Sequence, residues 1–256
     1  MSRRLVAAGG IGVLVIAAVA FGAWYFLFRN DAPPPVNLET AVQAAASSTT
    51  TPRASGTATT GTSTAATGTA AATAGGGASG LSGTWKIAPD SQSFVGYRVQ
   101  EQLANVGAAT AVGRTSGITG SLVFDGSKIT DVTIEADLSK LQSDRSQRDN
   151  ALRQQALETN RFATAAFKLT QPIQVGGTPE AGKTIEATAV GDLTLHGVTK
   201  SVSIPLQGQL VNNQVVVVGT LDIVFADFNI AQPRAVTVLS VENHGLLELQ
   251  LIFAKG

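Results

Sequence analysis

GDLTLHGVTKSVSIPL, residues 191–206, contains two alternating runs of apolar residues separated by a His-Gly pair. Leu193 and Leu195 share one face of the first run, with polar residues between them. A period of two is typical of a strand that buries one face, and a glycine-containing pair between two such runs is typical of a tight hairpin. The stretch therefore predicts two antiparallel strands joined at His196 and Gly197.

The same alternation recurs through the C-terminal two thirds of the chain. It is clear in DVTIEADL (residues 131–138), in TIEATAVGDLTL (residues 184–195) and in the last apolar run, around residues 247–253. Turn-forming pairs separate the runs, as at Asn212-Asn213. Many short strands with one apolar face predict an all-β fold, either an antiparallel sandwich or a barrel.

One segment departs from this pattern. Residues 143–162 have a helix-forming composition, and Ser143 or Asp144 could cap the start of a helix there. Its apolar stripe is thin, consisting of Leu152 and Leu157. We therefore predict one short helix that lies across the barrel rather than inside it.

The composition excludes several kinds of site. The chain has 18 basic and 18 acidic residues and no cysteine, so neither a nucleic-acid-binding surface nor thiolate chemistry is expected. No nucleophile elbow or phosphate-binding loop occurs, and the two histidines, His196 and His244, both stand beside glycines in turn-like contexts. We predict a protein that is not an enzyme, with no catalytic residue, no metal site and no cofactor, and a structural role for His196.

The first 29 residues predict a membrane anchor. Residues 5–28 carry no charge, and a helix of 24 residues spans about 36 Å, more than the hydrocarbon core of a bilayer. Arg3 and Arg4 precede the run, which predicts a cytoplasmic N-terminus and a single-pass cell-membrane protein whose C-terminal domain is extracytoplasmic. The alternative is a signal peptide cleaved after the Ala18-Val19-Ala20 motif, although the apolar run continues beyond it.

Residues 30–83 predict a flexible tether. Between residues 47 and 80 almost every position is Ser, Thr, Ala or Gly, so the segment has few large apolar groups to bury. A disordered chain of this length spans about 40 Å on average. The sequence is thus divided into an anchor (residues 1–29), a disordered linker that is neutral or O-glycosylated (residues 30–83) and a folded domain (residues 84–256).

Several motifs of the folded domain resemble the YceI-like family, also called polyisoprenoid-binding proteins. The hairpin at residues 191–206 resembles the signature hairpin of that family, and TWKIAPDSQSFVGYRV (residues 84–99) resembles its first two strands. SDRSQRDNALRQQALETNRFATAAFKLT (residues 143–170) resembles its loop-helix segment, and Phe-Asn-Ile at residues 228–230 also fits. The resemblance covers residues 84–256, although residues 98–103 read RVQEQL where many members have a histidine.

The resemblance implies an extended, lipocalin-like antiparallel β-barrel that holds a long isoprenoid or fatty-acyl lipid, and a homodimer. In such a barrel the inward apolar residues would contact the ligand; from the alternation these are Val132, Ile134, Ala136, Phe167, Ile185, Ala187, Ala189, Leu193, Val202, Ile204, Leu221, Ile223, Phe225, Leu249 and Leu251. The alternative is an envelope structural or interaction module whose barrel is filled by these same side chains, because a hollow and a filled barrel share one sequence pattern.

Two arginines of the predicted helix are candidates for binding a polar head group. A guanidinium group at Arg148 or Arg153 matches the oxygens of a phosphate or another polar group. The alternative is a solvated helix face on which these arginines pair with Asp144 and Asp149.

Overall fold

The structure is a computed structural model, and it describes residues 32–48, 80–89, 91–104, 106–176, 179–234 and 236–256. Thirteen β-strands form one antiparallel sheet over these residues. They are β1 (Gly83–Ile87), β2 (Phe94–Leu103), β3 (Gly107–Thr115), β4 (Ile118–Phe124), β5 (Lys128–Asp137), β6 (Gln142–Ser143), β7 (Thr164–Leu169), β8 (Ile173–Gln174), β9 (Thr184–Leu195), β10 (Val198–Val211), β11 (Gln214–Val224), β12 (Val238–Val241) and β13 (His244–Lys255).

Eight of these strands close into a barrel, as the family resemblance implies. The ring runs β1-β4-β5-β7-β9-β10-β11-β13, and β13 pairs back with β1. β13 is long enough to pair twice. Its second half pairs with β1, and its first half pairs with β2, where Leu246 lies opposite Arg98. β2 and β3 thereby extend one wall beyond the ring.

The hairpin at residues 191–206 is present. β9 ends at Leu195, β10 begins at Val198, and the two turn residues His196 and Gly197 have φ values of 50° and 74°. Two successive residues in the left-handed region give a turn whose twist matches that of the strands it joins. Glycine adopts this region without strain, and so this pair fixes the register of β9 against β10.

The barrel has two ends, which we name by their turns. The His196 end carries the β9–β10 turn, and the Asn212 end carries the β10–β11 turn at Asn212 and Asn213. Apolar side chains on the inner face form the largest core cluster between them, with these buried members: Trp85, Ile118, Leu122, Phe124, Ile134, Ile204, Leu249, Leu251 and Phe253. The predicted alternation therefore corresponds to the inside and the outside of the barrel.

The predicted helix is shorter than the sequence suggests. Helix α2 is Ser146–Ala151, and a π-helical turn, Leu152–Ala156, continues it. Neither predicted cap begins it. The Ser143 amide and hydroxyl both donate to the Asp149 carboxylate, at 2.9 and 2.7 Å, and the helix starts after Arg145. It ends before residue 162 because Glu158, at φ 44°, turns the chain away.

The prediction of a disordered linker is wrong for part of residues 30–83. Helix α1 (Leu38–Ser48) forms there, and the Asn37 side chain caps it by accepting a hydrogen bond from the Glu39 amide at 2.8 Å. Leu38, Ala41 and Ala45 lie on one face of the helix and are buried against outward-facing residues of the barrel, which are Val216, Val218 and Ile252. Tertiary packing of this stripe stabilises a helix too short to be stable alone.

A buried ion pair lies next to this helix on the outer face. Glu248 is fully buried, and its carboxylate lies 2.7 Å from Arg98 Nε and 3.6 Å from Arg114 Nη2. The same two arginines donate to the carbonyl oxygens of Pro33, at 2.7 Å, and Pro34, at 3.1 Å. Burial lowers the pKa of Arg114 against the opposing effect of Glu248. Residues 32–48 thus seal the outer face with polar and apolar contacts.

The predicted anchor, residues 5–28, and residues 49–79 lie outside the described residues. Within the described ranges, no helix has the length and apolar character needed to cross a membrane. The boundaries between anchor, linker and domain stay predictions.

Candidate functional site

Three apolar chambers lie in a line inside the barrel. The first, of about 150 Å³, lies at the His196 end; the middle one is about 120 Å³; and the third, of about 100 Å³, lies at the Asn212 end. Val95, Ala165 and Leu247 line both the first and the middle chamber. The middle and third chambers likewise share wall residues, which are Leu122, Ile129, Ile173, Leu206 and Val217. Adjacent chambers are therefore separated only by these shared side chains, which narrow the apolar interior at two places.

Most of the sequence-predicted ligand residues line these chambers. The middle chamber contains Val132, Ile134, Ala136, Phe167, Ala189, Leu193, Ile204, Leu249 and Leu251. The third contains Ile185 and Ala187, and the first contains Ile223 and Phe225. Val202 and Leu221 pack against the core beside these walls and line no chamber. The structure brings the predicted set together, and their contact with a ligand stays a prediction.

A glycine makes room for Phe167, one of the two phenylalanines among the described residues that line the middle chamber. Gly191 lies near Phe167 across the β7–β9 pairing, and a Cβ atom at position 191 would lie 2.5 Å from Phe167 Cζ. It would also lie 2.4 Å from the Lys168 carbonyl oxygen, which belongs to the backbone and cannot move aside. Gly191 therefore allows the Phe167 ring to occupy the barrel interior, where it narrows the space.

The segment formed by helix α2 and the π-helical turn after it covers part of the His196 end of the barrel. Leu152, Ala156 and Leu157 of this segment line the first chamber, together with Leu138 and Leu141 from the β5–β6 connection. The thin apolar stripe seen in the sequence is the part of the segment that faces the chamber. The segment therefore covers one side of this end of the interior.

Arg148 lies in the wall of the first chamber, but its charge is already paired. Its guanidinium donates to Glu101 and to Asp144, and only 13% of its side chain is exposed. Burial by itself would lower the pKa of Arg148; the Glu101 and Asp144 carboxylates outweigh that effect, and the net direction is upward. The guanidinium is thus a neutralised, structural part of the wall.

Arg153 is not part of the chamber wall. Its Nε donates to the backbone oxygen of Asp149 at 3.3 Å, within the same short helix. The structure therefore does not bring Arg148 and Arg153 together as one site for an anionic head group.

Tyr97 is a chamber residue that the sequence analysis missed. Its ring lies against Gly113, where a Cβ atom would be 2.4 Å from Tyr97 Cε1, and its hydroxyl is buried without a hydrogen-bond partner among the described residues. Burial raises the pKa of Tyr97 above its ordinary value; the Ser143 side chain, which lies near the hydroxyl without a well-formed hydrogen bond to it, acts in the opposite direction, and the group is a neutral phenol. Tyr97 could have been found from the sequence, because it lies two residues from Val95 and from Val99 and therefore points to the same face of β2.

His196 is held by structural contacts. Its Nδ1 lies 3.1 Å from the Phe228 carbonyl oxygen, its Nε2 lies 3.1 Å from Glu158 Oε2, and its ring packs edge-on against Phe162 at 4.5 Å. Both ring nitrogens are therefore engaged in joining the hairpin to the end of the α2 segment and to the loop after β11. In the part of the chain that the structure describes, no three His, Asp or Glu residues form a group that could hold a metal ion.

The family follows from the sequence match. A sequence model described as the YceI-like domain matches residues 85–253, which include nearly all of the barrel and helix α2. The chain belongs to the YceI-like domain family. Helix α1 and the residues before it lie outside the matched part of the YceI-like domain.

Relatives and solved structures agree with this assignment. A UPF0312 protein of Vibrio parahaemolyticus is 29% identical over 152 residues, covering 56% of this chain and 77% of the relative. A UPF0312 protein of Vibrio vulnificus is 28% identical over 156 residues, with the same two coverages. The structure is also similar to a polyisoprenoid binding domain from Saccharophagus degradans implicated in plant cell wall breakdown. That similarity has a TM-score of 0.53 at 15% identity and covers 68% of this chain and 99% of that one. At this identity the likeness shows the YceI-like fold alone.

Proposed function

We propose that this protein is a membrane-tethered, extracytoplasmic lipid-binding protein that holds a long isoprenoid or acyl chain in its barrel. The observation that carries the proposal is the row of three chambers with almost wholly apolar walls. A polyisoprenoid binding domain with the same fold supports it. The uncharged run at residues 5–28 supports the membrane attachment and the extracytoplasmic location.

The size of the chambers fits a chain better than a compact ligand. An apolar cavity of about 150 Å³ stays dry and binds a benzene-sized molecule. Each chamber therefore has room for a short piece of hydrocarbon, and a chain threaded through the constrictions would use all three. Each CH₂ group removed from water contributes about 0.8 kcal/mol, so such a chain binds without specific polar contacts. A barrel filled by its own side chains would not leave this space.

The first chamber would receive the polar end of the lipid, because most of the polar side chains among the described lining residues lie there. The Tyr97 hydroxyl has no partner among the described residues, whereas the charge of Arg148 is already balanced by Glu101 and Asp144. A phosphate in this chamber would bring negative charge next to the Glu101 carboxylate, and Arg148, the basic residue among the described lining residues, is already paired. The geometry thus favours an uncharged head, such as a hydroxyl or a carbonyl group, over a phosphate.

The experiment that tests this function is lipid extraction. Residues 32–256, which retain helix α1, are purified, extracted with organic solvent and analysed by mass spectrometry. We expect a long-chain isoprenoid or acyl lipid in a near-stoichiometric amount. The matched control is Ala189→Phe, whose larger side chain fills the middle chamber. We expect this variant to lose about 1–3 kcal/mol in its free energy of unfolding and to carry no lipid. If the unmodified protein carried no lipid and took up no prenyl or acyl chain, the proposal would be wrong.

A further inference from the structure

The exposed large apolar side chains within the described ranges lie together at the His196 end of the barrel. They belong to the end of β11, to the segment that contains β12, and to the start of β13: Val224, Val236, Leu239 and Leu246. Their exposed fractions run from 37% for Leu246 to 102% for Val236. We call these four residues the apolar rim. Leu246 also lines the first chamber, so the rim is continuous with that chamber.

Residues 32–48 begin beside the apolar rim. The Pro33 carbonyl oxygen accepts a hydrogen bond from Arg98 Nη2 at 2.7 Å, and Arg98 is the direct cross-strand partner of Leu246. Directly paired residues of an antiparallel sheet lie about 5 Å apart. The point at which the described chain begins is therefore next to the rim and far from the Asn212 end.

Only residues 29–31 separate this point from the uncharged run at residues 5–28. The four peptide steps from Phe28 to Ala32 reach at most about 14 Å. A flexible spacer made of all of residues 30–83 would span about 40 Å. Because residues 32–48 are packed on the barrel wall, residues 49–79 connect two points on the barrel and do not lengthen the spacer.

We infer that the apolar rim contacts the lipid surface of the membrane, with the first chamber opening toward the bilayer. This inference rests on the proposed membrane attachment. The short spacer brings the rim within reach of the headgroup layer, and apolar side chains at such a surface insert about 5–10 Å into the boundary between headgroups and acyl chains. An exposed apolar patch of this kind marks an interaction site. A lipid chain then passes between bilayer and barrel without crossing water.

The test uses single cysteines in the full chain, which has no cysteine of its own. Leu239→Cys and Leu246→Cys are labelled with an environment-sensitive fluorophore and reconstituted into phosphatidylcholine vesicles that carry nitroxide lipids labelled near the headgroup. The controls are Ser127→Cys, in the β4–β5 turn at the Asn212 end, and Thr164→Cys, at the His196 end but on β7 across the barrel. We expect quenching several times stronger at both rim positions than at either control.

The outcomes separate this inference from the proposed attachment. If the protein does not float with the vesicles, the membrane attachment itself is wrong. If it floats and the four positions are quenched equally, or the controls more than the rim, the attachment stands and the rim docking is overturned.

A second measurement tests the spacer. About twenty Gly and Ser residues are inserted after Asn30, which lengthens the chain between the apolar run and the barrel to roughly that of a free tether. We expect quenching at Leu246 to fall to the level at Ser127. Unchanged quenching would contradict the role of the short spacer in holding the rim at the membrane.

Discussion

Where helix α1 packs on strands β11 and β13, the inner and outer sides of the two strands are both buried, but in different ways. On the inner side, Leu249 and Leu251 border the middle chamber. On the outer side, Ile252 is packed under helix α1, and Glu248 is enclosed by Arg98. The outer face is covered by a segment of the same chain, whereas the inner face is left with space. The space on the inner side is what the proposed lipid-binding function requires, whereas the outer side is completed by the protein itself.

The largest effect is expected on the outer face, at Glu248. The change Glu248→Gln leaves the guanidinium groups of Arg98 and Arg114 without their carboxylate in a buried site. Breaking a buried ion pair from one side typically costs about 3–5 kcal/mol, and we expect a loss in this range from urea unfolding. The control is Glu186→Gln, an exposed residue of β9, where a change within about 0.5 kcal/mol is expected. If Glu248→Gln lowered the free energy of unfolding by no more than Glu186→Gln does, the outer face would not be sealed by this ion pair.

A second pair of variants compares the two sides directly. Truncating a buried Leu or Ile to Ala costs about 2–5 kcal/mol, and the cost is greater where more contacts are lost. Ile252→Ala removes contacts with helix α1, so we expect a cost near the upper part of that range. Leu249→Ala removes a side chain that already borders empty space, and we expect a cost near the lower end. The reverse order in urea unfolding would contradict a hollow interior and a filled exterior.

The third prediction concerns helix α1 itself. Ala41 is fully buried against the barrel, so Ala41→Asp places a carboxylate in an apolar contact and should release the helix. We expect a loss of about 2 kcal/mol, together with rapid proteolysis within residues 32–48 while the barrel stays resistant. Gln43→Asp, on the exposed side of the same helix, is the matched control. Equal proteolysis of the two variants would show that the helix does not depend on this packing.

The smallest effect is expected at the polar end of the interior. Tyr97→Phe removes a buried hydroxyl that has no partner among the described residues, so the ligand-free protein should become more stable by about 1 kcal/mol. Affinity for a long-chain alcohol should fall several-fold, while affinity for the matched alkane stays unchanged. The control is Thr159→Val, which removes another buried hydroxyl that has no hydrogen-bond partner among the described residues. It should change the stability but leave the affinities for the alcohol and for the alkane unchanged, because Thr159 does not line the first chamber. Equal loss of both ligands in Tyr97→Phe would argue against a head-group contact.

The strands could be predicted because each one buries one face, and apolar and polar residues therefore alternate along its sequence. TIEATAVGDLTL corresponds to β9 residue for residue, and the His196-Gly197 pair marks its end. Helix α1 was missed because its buried stripe consists mainly of alanines within an Ala-, Ser- and Thr-rich stretch, and its stability comes from a wall distant in sequence.

The chambers could not be predicted from the sequence for a similar reason. Whether the inward side chains meet or leave space depends on how they pack across the barrel. The sequence of a single strand carries no information about the side chains that lie opposite it. The pairing of Arg148 with Glu101, 47 residues away, likewise depends on the closed fold. The small side chains of Ala136, Ala187 and Ala189 are among those that border the middle and third chambers.

The most direct test of a hollow, lipid-holding barrel is anomalous diffraction from crystals of residues 32–256 grown with a long-chain alcohol that carries bromine on its last carbon. The account predicts one bromine peak in the middle or the third chamber and the hydroxyl group beside Tyr97, with the chain running through the constriction lined by Val95, Ala165 and Leu247. A bromine peak outside the barrel, or chambers that remain empty at saturating alcohol, would contradict it.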